Sequence, residues 1–294
     1  MHAPIDISVV ITVLDRINDI EQVICSILKQ SLPQSCYEII IVDNGSTDGT
    51  VEILSKYDNR IRIIDGSAHK GSPYSARNMA VELALGSYLL FLDGYADFHL
   101  LENILNKARE KDYKLVTGIV NLNFSNNDIY EIYDAIFSLD TKKCVSNNYA
   151  PTANLLVSKA IFKSVGGFKE NIRSGGDFIL TRTIINSGYE ITCCDNAISY
   201  YYARNKISLL KKIKRISTGL PLIWTYSGST KKSLIKMCIR PFIPVNPFSF
   251  YQYVVDRNVI PFDFYNFLRL YVLRTKFNIM ISYYSISSYF KGDK

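Results

Sequence analysis

Through the first hundred residues, short aliphatic runs alternate with stretches whose apolar residues recur at helical spacing. Ile7-Ser8-Val9-Val10-Ile11-Thr12-Val13 is β-branched almost throughout and reads as a strand buried on both faces. Ile20, Val23, Ile24, Ile27 and Leu28 then mark one face of a helix over 17–28. Tyr37 to Val42 gives a second strand ending at Asp43, and Thr50 to Tyr57 a second helix capped by Thr47 or Asp48. Arg60 to Ile64 is a third strand, ending at Asp65; Tyr74 to Ala84 is a helix leading through Gly86 into the strand Tyr88-Leu89-Leu90-Phe91-Leu92. Strands that alternate with helices predict an α/β fold, a mostly parallel sheet with helices on both faces.

The pattern continues with a helix over 100–111, a strand over 113–122 and a polar turn over 123–128, and then loosens. Helices at 160–165 and 178–187 flank the glycine-rich stretch from Gly166-Gly167-Phe168 to Gly175-Gly176-Asp177, and 190–194 and 197–202 read as short strands. From Lys206 the chain is helical, aromatic and basic. The expected division is a main domain over 1–204 and a helical extension over 205–294.

With 294 residues and 48% hydrophobic content the chain can bury a substantial core. The net charge of +7 is uneven. Lys206, Lys211, Lys212, Lys214, Arg215, Lys231, Lys232, Lys236 and Arg240 crowd one stretch, interleaved with Ile, Leu, Trp224 and Phe242. Over 205–245 this mixture suits an anionic membrane surface; a solvated helix face is the alternative. No recognised nucleic-acid motif accompanies the charge, so nucleic acid is not an expected partner. The six cysteines lack metal-type spacing and read as reduced thiols. The N-terminus lacks a signal-peptide pattern and no apolar run reaches a membrane span, so a cytoplasmic protein, peripheral on the inner face of the cell membrane, is expected.

Candidate chemistry sits where strands end. In open α/β sheets ligands bind beyond the carboxyl ends of the strands, and Asp93-Gly94-Tyr95-Ala96-Asp97 puts two carboxylates there. Closely spaced acidic oxygens hold a divalent cation on a phosphate, although the same composition makes a plain turn. Val42-Asp43-Asn44-Gly45-Ser46-Thr47-Asp48-Gly49-Thr50 also follows a strand and opens a helix, where backbone N–H groups bind anionic ligands. Ile11-Thr12-Val13-Leu14-Asp15-Arg16 ends the first strand. Asp177 stands at the start of the helix that follows, where an Asp serves well as N-cap, a role compatible with others.

In order and spacing, the loop from Val42 to Asp48, the helix start Ala76-Arg77-Asn78, the strand end Phe91-Leu92-Asp93, and Gly166-Gly167-Phe168 followed by Asp177 and Gly188-Tyr189 resemble the family 2 glycosyltransferases with the GT-A fold. The likeness runs over about residues 6–204. It implies transfer of one sugar from a nucleotide-diphosphate sugar to an acceptor hydroxyl with inversion, as in bacterial capsule or lipopolysaccharide synthesis, onto a glycan or lipid-linked glycan. It further implies a nucleotide-binding half over about 1–97 and an acceptor-binding half over about 98–204. Thr12, Leu14, Asp15, Asp43 and Asn44 fall at nucleoside positions and Arg77 near the diphosphate. Asp93 faces the ribose or a Mn²⁺ or Mg²⁺ ion, Gly175 and Gly176 lie on the acceptor side, and Asp177 is the general base.

The chain departs from the family in two places. Tyr95 stands where a second acid is usual, the next carboxylate being Asp97, and Tyr200, Tyr201 and Tyr202 occupy the neighbourhood of an expected histidine. Two arrangements follow: Asp97 serves as metal ligand through a bulged loop, or the site leans on Arg77, Lys70 or Arg204 for charge. A non-catalytic nucleotide-sugar-binding or scaffold subunit is the rival reading. The three histidines form no nucleophile triad, and the glycines make neither a dinucleotide fingerprint nor a phosphate loop. The Gln-x-x-Arg-Trp motif of processive synthases is also missing.

Overall fold

A computed structural model describes residues 5–69, 71–125, 127–170 and 172–291. Its elements are β1 (Ile7–Val13), α1 (Ile20–Leu28), β2 (Tyr37–Asp43), α2 (Thr50–Ser55), β3 (Arg62–Asp65), α3 (Pro73–Leu83), β4 (Tyr88–Leu92) and β5 (Tyr95–Ala96). They continue with α4 (Leu100–Glu110), β6 (Leu115–Asn123), α5 (Ile129–Phe137), α6 (Thr141–Ser146), β7 (Asn154–Ser158), α7 (Lys159–Ser164), α8 (Gly176–Asn186) and β8 (Ile191–Tyr202). Among the described residues four further α-helices follow: α9 (Lys206–Tyr226), α10 (Lys231–Ile239), α11 (Pro247–Arg257) and α12 (Phe264–Lys291). Among the described residues no helix is long and apolar enough to cross a membrane.

Two compact units form, Met1–Asn121 with Thr141–Tyr201, and Leu122–Asp140 with Tyr202–Lys294. The segment 122–140 therefore groups with the C-terminal helices, where a single cut after residue 204 is the sequence expectation. The reason is the apolar face of α5: Ile132, Tyr133 and Ile136 pack with Leu209 of α9, Phe250 and Val254 of α11, and Leu270, Leu273 and Phe277 of α12.

The first unit is built on an eight-stranded sheet of order β3-β2-β1-β4-β7-β6-β8-β5. β2–β3, β1–β2 and β1–β4 are parallel, and β7 runs antiparallel to both β4 and β6. Successive side chains of a strand point to opposite faces, and β1 and β2 divide accordingly. Ile7, Val9, Ile11, Ile39 and Ile41 pack with α1 and α4, while Val10, Ile40 and Val42 pack with Ala76, Ala80 and Val81 of α3. Pairing of Val13 with Asp43 and of Asp43 with Asp65 aligns the ends of three strands. Their loops consequently open on one edge, together with the end of β4.

α1 starts at Ile20 rather than Ile17, because 14–19 form a loop bonded to the one after β2, and β8 is one strand where two are expected. β7, α5 and α6 are not anticipated. β7 is held from inside: buried Asn154 donates from Nδ2 to the carbonyls of Ala197 at 3.0 Å and Ile119 at 3.2 Å. None of the six cysteines forms a disulfide.

Candidate active site

The loops after β1 and β2 are laced together by short polar side chains. Asp15, at φ 52°, accepts at Oδ1 from the Thr47 N–H at 2.8 Å, and its own N–H donates to Ser46 Oγ at 2.9 Å. The Ile17 N–H donates to Asp48 at 2.9 Å and the Arg16 N–H to Thr50 Oγ1 at 2.8 Å. The Thr50 hydroxyl, aided by N–H donors, holds the Asp48 carboxyl below the usual carboxylate range. Asp43 is buried and folds back, accepting from the Gly45 and Ser46 N–H groups at 3.1 Å each. Thr12 is half-buried in β1, and Leu14 is exposed just past it.

Asn44 is 4% exposed, yet its Oδ1 has no partner among the described residues. Buried polar atoms of folded proteins are normally bonded, so this oxygen marks a place for a polar ligand group. Gly66 keeps the place open, since a Cβ there would lie 3.2 Å from Asn44 Oδ1 and 2.6 Å from Val42.

Asp93 is gripped from two sides. Arg77 Nη2 donates to its Oδ1 at 2.8 Å, and Arg16 Nη1 donates to its backbone carbonyl at 2.5 Å. Arg16 is itself anchored by Asp19 and lies over the Tyr201 ring. Arg77 is 4% exposed, with its guanidinium carbon 5.7 Å from the Tyr74 ring centre and 6.0 Å from that of Phe168, and its Nε is unpartnered among the described residues. Tyr74 Oη donates to Asp177 Oδ1 at 3.3 Å. Asp93, Arg77, Tyr74 and Asp177 thus form one connected polar row.

Asp177 is not the helix cap. Gly175, at φ 84°, takes the N-cap position of α8, and Asp177 sits in the first turn with Oδ1 accepting from the Phe178 N–H at 2.9 Å. Burial pushes its carboxyl above the ordinary range, only partly offset by Phe178 N–H, Arg77 and Tyr74. Gly176 is required by the neighbouring ring: a Cβ there would approach Tyr74 to 2.7 Å.

Asp97 turns to α4, where its Oδ1 accepts from the His99 N–H at 3.2 Å. Among the described residues no three His, Cys, Asp or Glu side chains converge as a metal set. The two departures from the family pattern meet in space: Tyr95 pairs with Tyr200 across β5 and β8, and their rings stack with centres 5.2 Å apart. Arg204 belongs to the second unit, bonded to Asp134, and Lys70 lies outside the described residues. Asp93 is the residue that would hold a divalent cation here, and such an ion would supply positive charge to offset a phosphate.

Arg16, Tyr74 and Gly66 are the contributors that sequence reasoning did not assign. A basic residue just past β1 and a tyrosine in the first turn of α3 are the only linear signals for them. Gly94 is equally constrained, because a Cβ would fall 2.0 Å from the Tyr200 carbonyl oxygen. Gly94→Ala should cost about 1–3 kcal/mol by overpacking, read as a lower urea midpoint at unchanged slope.

The sequence profile described as "Glycosyl transferase family 2" matches residues 8–186. "Glycosyltransferase AglE" of Haloferax volcanii is 34% identical over 226 residues, 74% of this chain and 74% of that protein. A mannosyltransferase from Pyrobaculum calidifontis, solved with GDP-Man and Mn²⁺, superposes with a TM-score of 0.66 at 14% identity, covering 99% of this chain and 90% of that one. The 1–349 fragment of Staphylococcus aureus TarS with UDP-GlcNAc gives 0.58 at 16% identity, covering 97% and 88%. These two structures share the GT-A fold with this chain.

Proposed function

Because this chain belongs to glycosyl transferase family 2 and is a nucleotide-sugar-dependent glycosyltransferase, we propose that it transfers a single sugar, with inversion, to an acceptor hydroxyl in surface-glycan assembly, the acceptor being a glycan or lipid-linked glycan. The observation that carries the site assignment is the row from Asp93 through Arg77 and Tyr74 to Asp177. At one end stands a strand-end carboxylate with an arginine, suited to the diphosphate side of a donor; at the other stands a carboxylate suited to the acceptor side.

The acceptor oxygen attacks the anomeric carbon as the bond to the diphosphate oxygen breaks with its electron pair. The acceptor proton passes to the Asp177 carboxylate. Negative charge on the departing diphosphate is met by the buried Arg77 guanidinium, an electrostatic role that needs no reorganisation. Asn44 Oδ1, Asp15, Asp43, Thr12 and Leu14 line the nucleoside side, and Gly175 and Gly176 the acceptor side. A bound Mn²⁺ or Mg²⁺ would add charge compensation for the diphosphate, held by Asp93. Relatives named for glycan transfer support the surface-glycan setting, TarS acting on poly(ribitol-phosphate) by its name.

A thermal-shift screen of nucleoside diphosphates and their sugars tests this. One donor is expected to raise the melting temperature, a ligand at 100 times its Kd adding about 2.7 kcal/mol. Mn²⁺ without nucleotide should leave the melting temperature unchanged and add to it only with nucleotide, since the protein supplies too few ligands to hold the ion alone. No shift with any nucleotide sugar would sink the donor assignment. Tyr95 favours the rival of a binding subunit without turnover; sugar release from a donor that binds decides against it.

A further inference from the structure

The second unit carries an apolar stripe flanked by cations on α10 and the segment that follows. Leu234 and Cys238, four residues apart, are buried beneath α10. That orientation turns Lys231, Lys232, Ile235, Lys236 and Ile239 outward, as the 3.6-residue period requires. The exposed run continues through Arg240, Phe242, Ile243 and Phe248, the last two each 67% exposed.

The basic stretch read from sequence over 205–245 is not uniformly available. Arg204 and Lys212 are bonded to Asp134, and Lys206 and Lys214 lie over the rings of Tyr130 and Tyr284. Of the cations left, Lys231, Lys232, Lys236 and Arg240 lie along this stripe, none of them ion-paired among the described residues. The sequence holds no Asp or Glu from 196 to 255, so nothing nearby in the chain neutralises them.

We propose that residues 231–248 dock the protein on an anionic lipid bilayer. Ile235, Ile239, Phe242, Ile243 and Phe248 enter the headgroup boundary, and the four cations meet lipid phosphates. An exposed apolar helix face alone would equally fit a protein partner. Unneutralised cations on both its flanks match the negative surface of a leaflet, and this pairing of apolar burial with charge is what holds interfacial helices. The proposal goes beyond the transferase reading and rests on it only for its purpose, which is to bring a lipid-linked acceptor within reach.

The test is flotation of the full chain with phosphatidylcholine vesicles, with and without phosphatidylglycerol. Binding is expected to the anionic vesicles alone, and to weaken as salt rises. Ile239→Glu with Ile243→Glu should abolish flotation, and Lys232→Gln and Lys236→Gln should each weaken it about fivefold. Melting temperatures equal to wild type show that the variants fold. Donor-induced thermal shifts in the same samples keep failure of docking distinct from failure of the donor site. The proposal is overturned if anionic vesicles float no protein at low salt, or if the double variant still floats. Dimers in solution that the double variant breaks, with vesicle binding intact, would assign the stripe to contact between copies instead.

Discussion

Asp177→Asn is expected to lower turnover by about 10²–10⁴-fold while leaving donor affinity near that of wild type. The substitution keeps the shape of the side chain and its contact with the Phe178 N–H but removes the group proposed to take the acceptor proton. Burial has already raised this carboxyl, with Arg77 and Tyr74 opposing that rise. A base with a raised pKa binds its proton more firmly but is ionised only at higher pH. The acid limb of kcat/KM should therefore lie above the ordinary aspartate range of about 4, and activity should fall as pH drops through it. The same sign governs stability. A carboxyl raised in the folded state binds more protons folded than unfolded, so its contribution to stability declines as pH rises through that window. Asn relieves that cost, and the melting temperature at neutral pH should hold or rise. A loss of stability with turnover intact would return Asp177 to a structural role at the start of α8.

The parallel half of the sheet was legible because its strands are buried on both faces, which forces β-branched runs such as 7–13 and 37–43, and because α1 between the first two shows a single apolar stripe. The same logic fails for β7. Five residues that depend on Asn154 and on the absence of a side chain at Gly118 leave no periodicity to read; a Cβ on Gly118 would lie 2.2 Å from Asn154 Nδ2. α5 shows the opposite difficulty: its amphipathic pattern is present, but its partners lie more than sixty residues further along the chain. At the candidate site the strand-end carboxylates were visible as types at positions. The links were not, because Arg16 reaches the Asp93 carbonyl across 77 residues and Tyr74 reaches Asp177 across 103. Tyr95 reads from sequence as a lost acid. In the fold it is half of a stacked pair with Tyr200, so the two departures lie side by side.

Asp134→Asn should cost the second unit about 3–5 kcal/mol, the penalty for removing one partner of a buried ionic cluster and leaving the other charges uncompensated. Asp134 is fully buried, with Arg204 Nη1 at 3.0 Å and Lys212 Nζ at 2.9 Å. Burial works against its charge, but Lys212 and Arg204 outweigh it and hold the carboxyl below the usual range. One carboxylate bonds both cations but offsets only one of their two charges. Burial, together with repulsion from Arg204, pulls Lys212 down to about 8 despite its contact with Asp134. Lys212→Met therefore removes the surplus charge and should destabilise far less than Asp134→Asn, since Arg204 remains to pair the carboxylate. The pH dependence distinguishes the two cations. A lysine with a folded pKa of about 8 binds fewer protons folded than unfolded up to its ordinary value near 10.4, so stability should rise with pH across that window. Lys212→Met should flatten that rise in urea titrations. If wild type and Lys212→Met show the same slope, or if Asp134→Asn melts with wild type, the cluster is not the keystone of this unit.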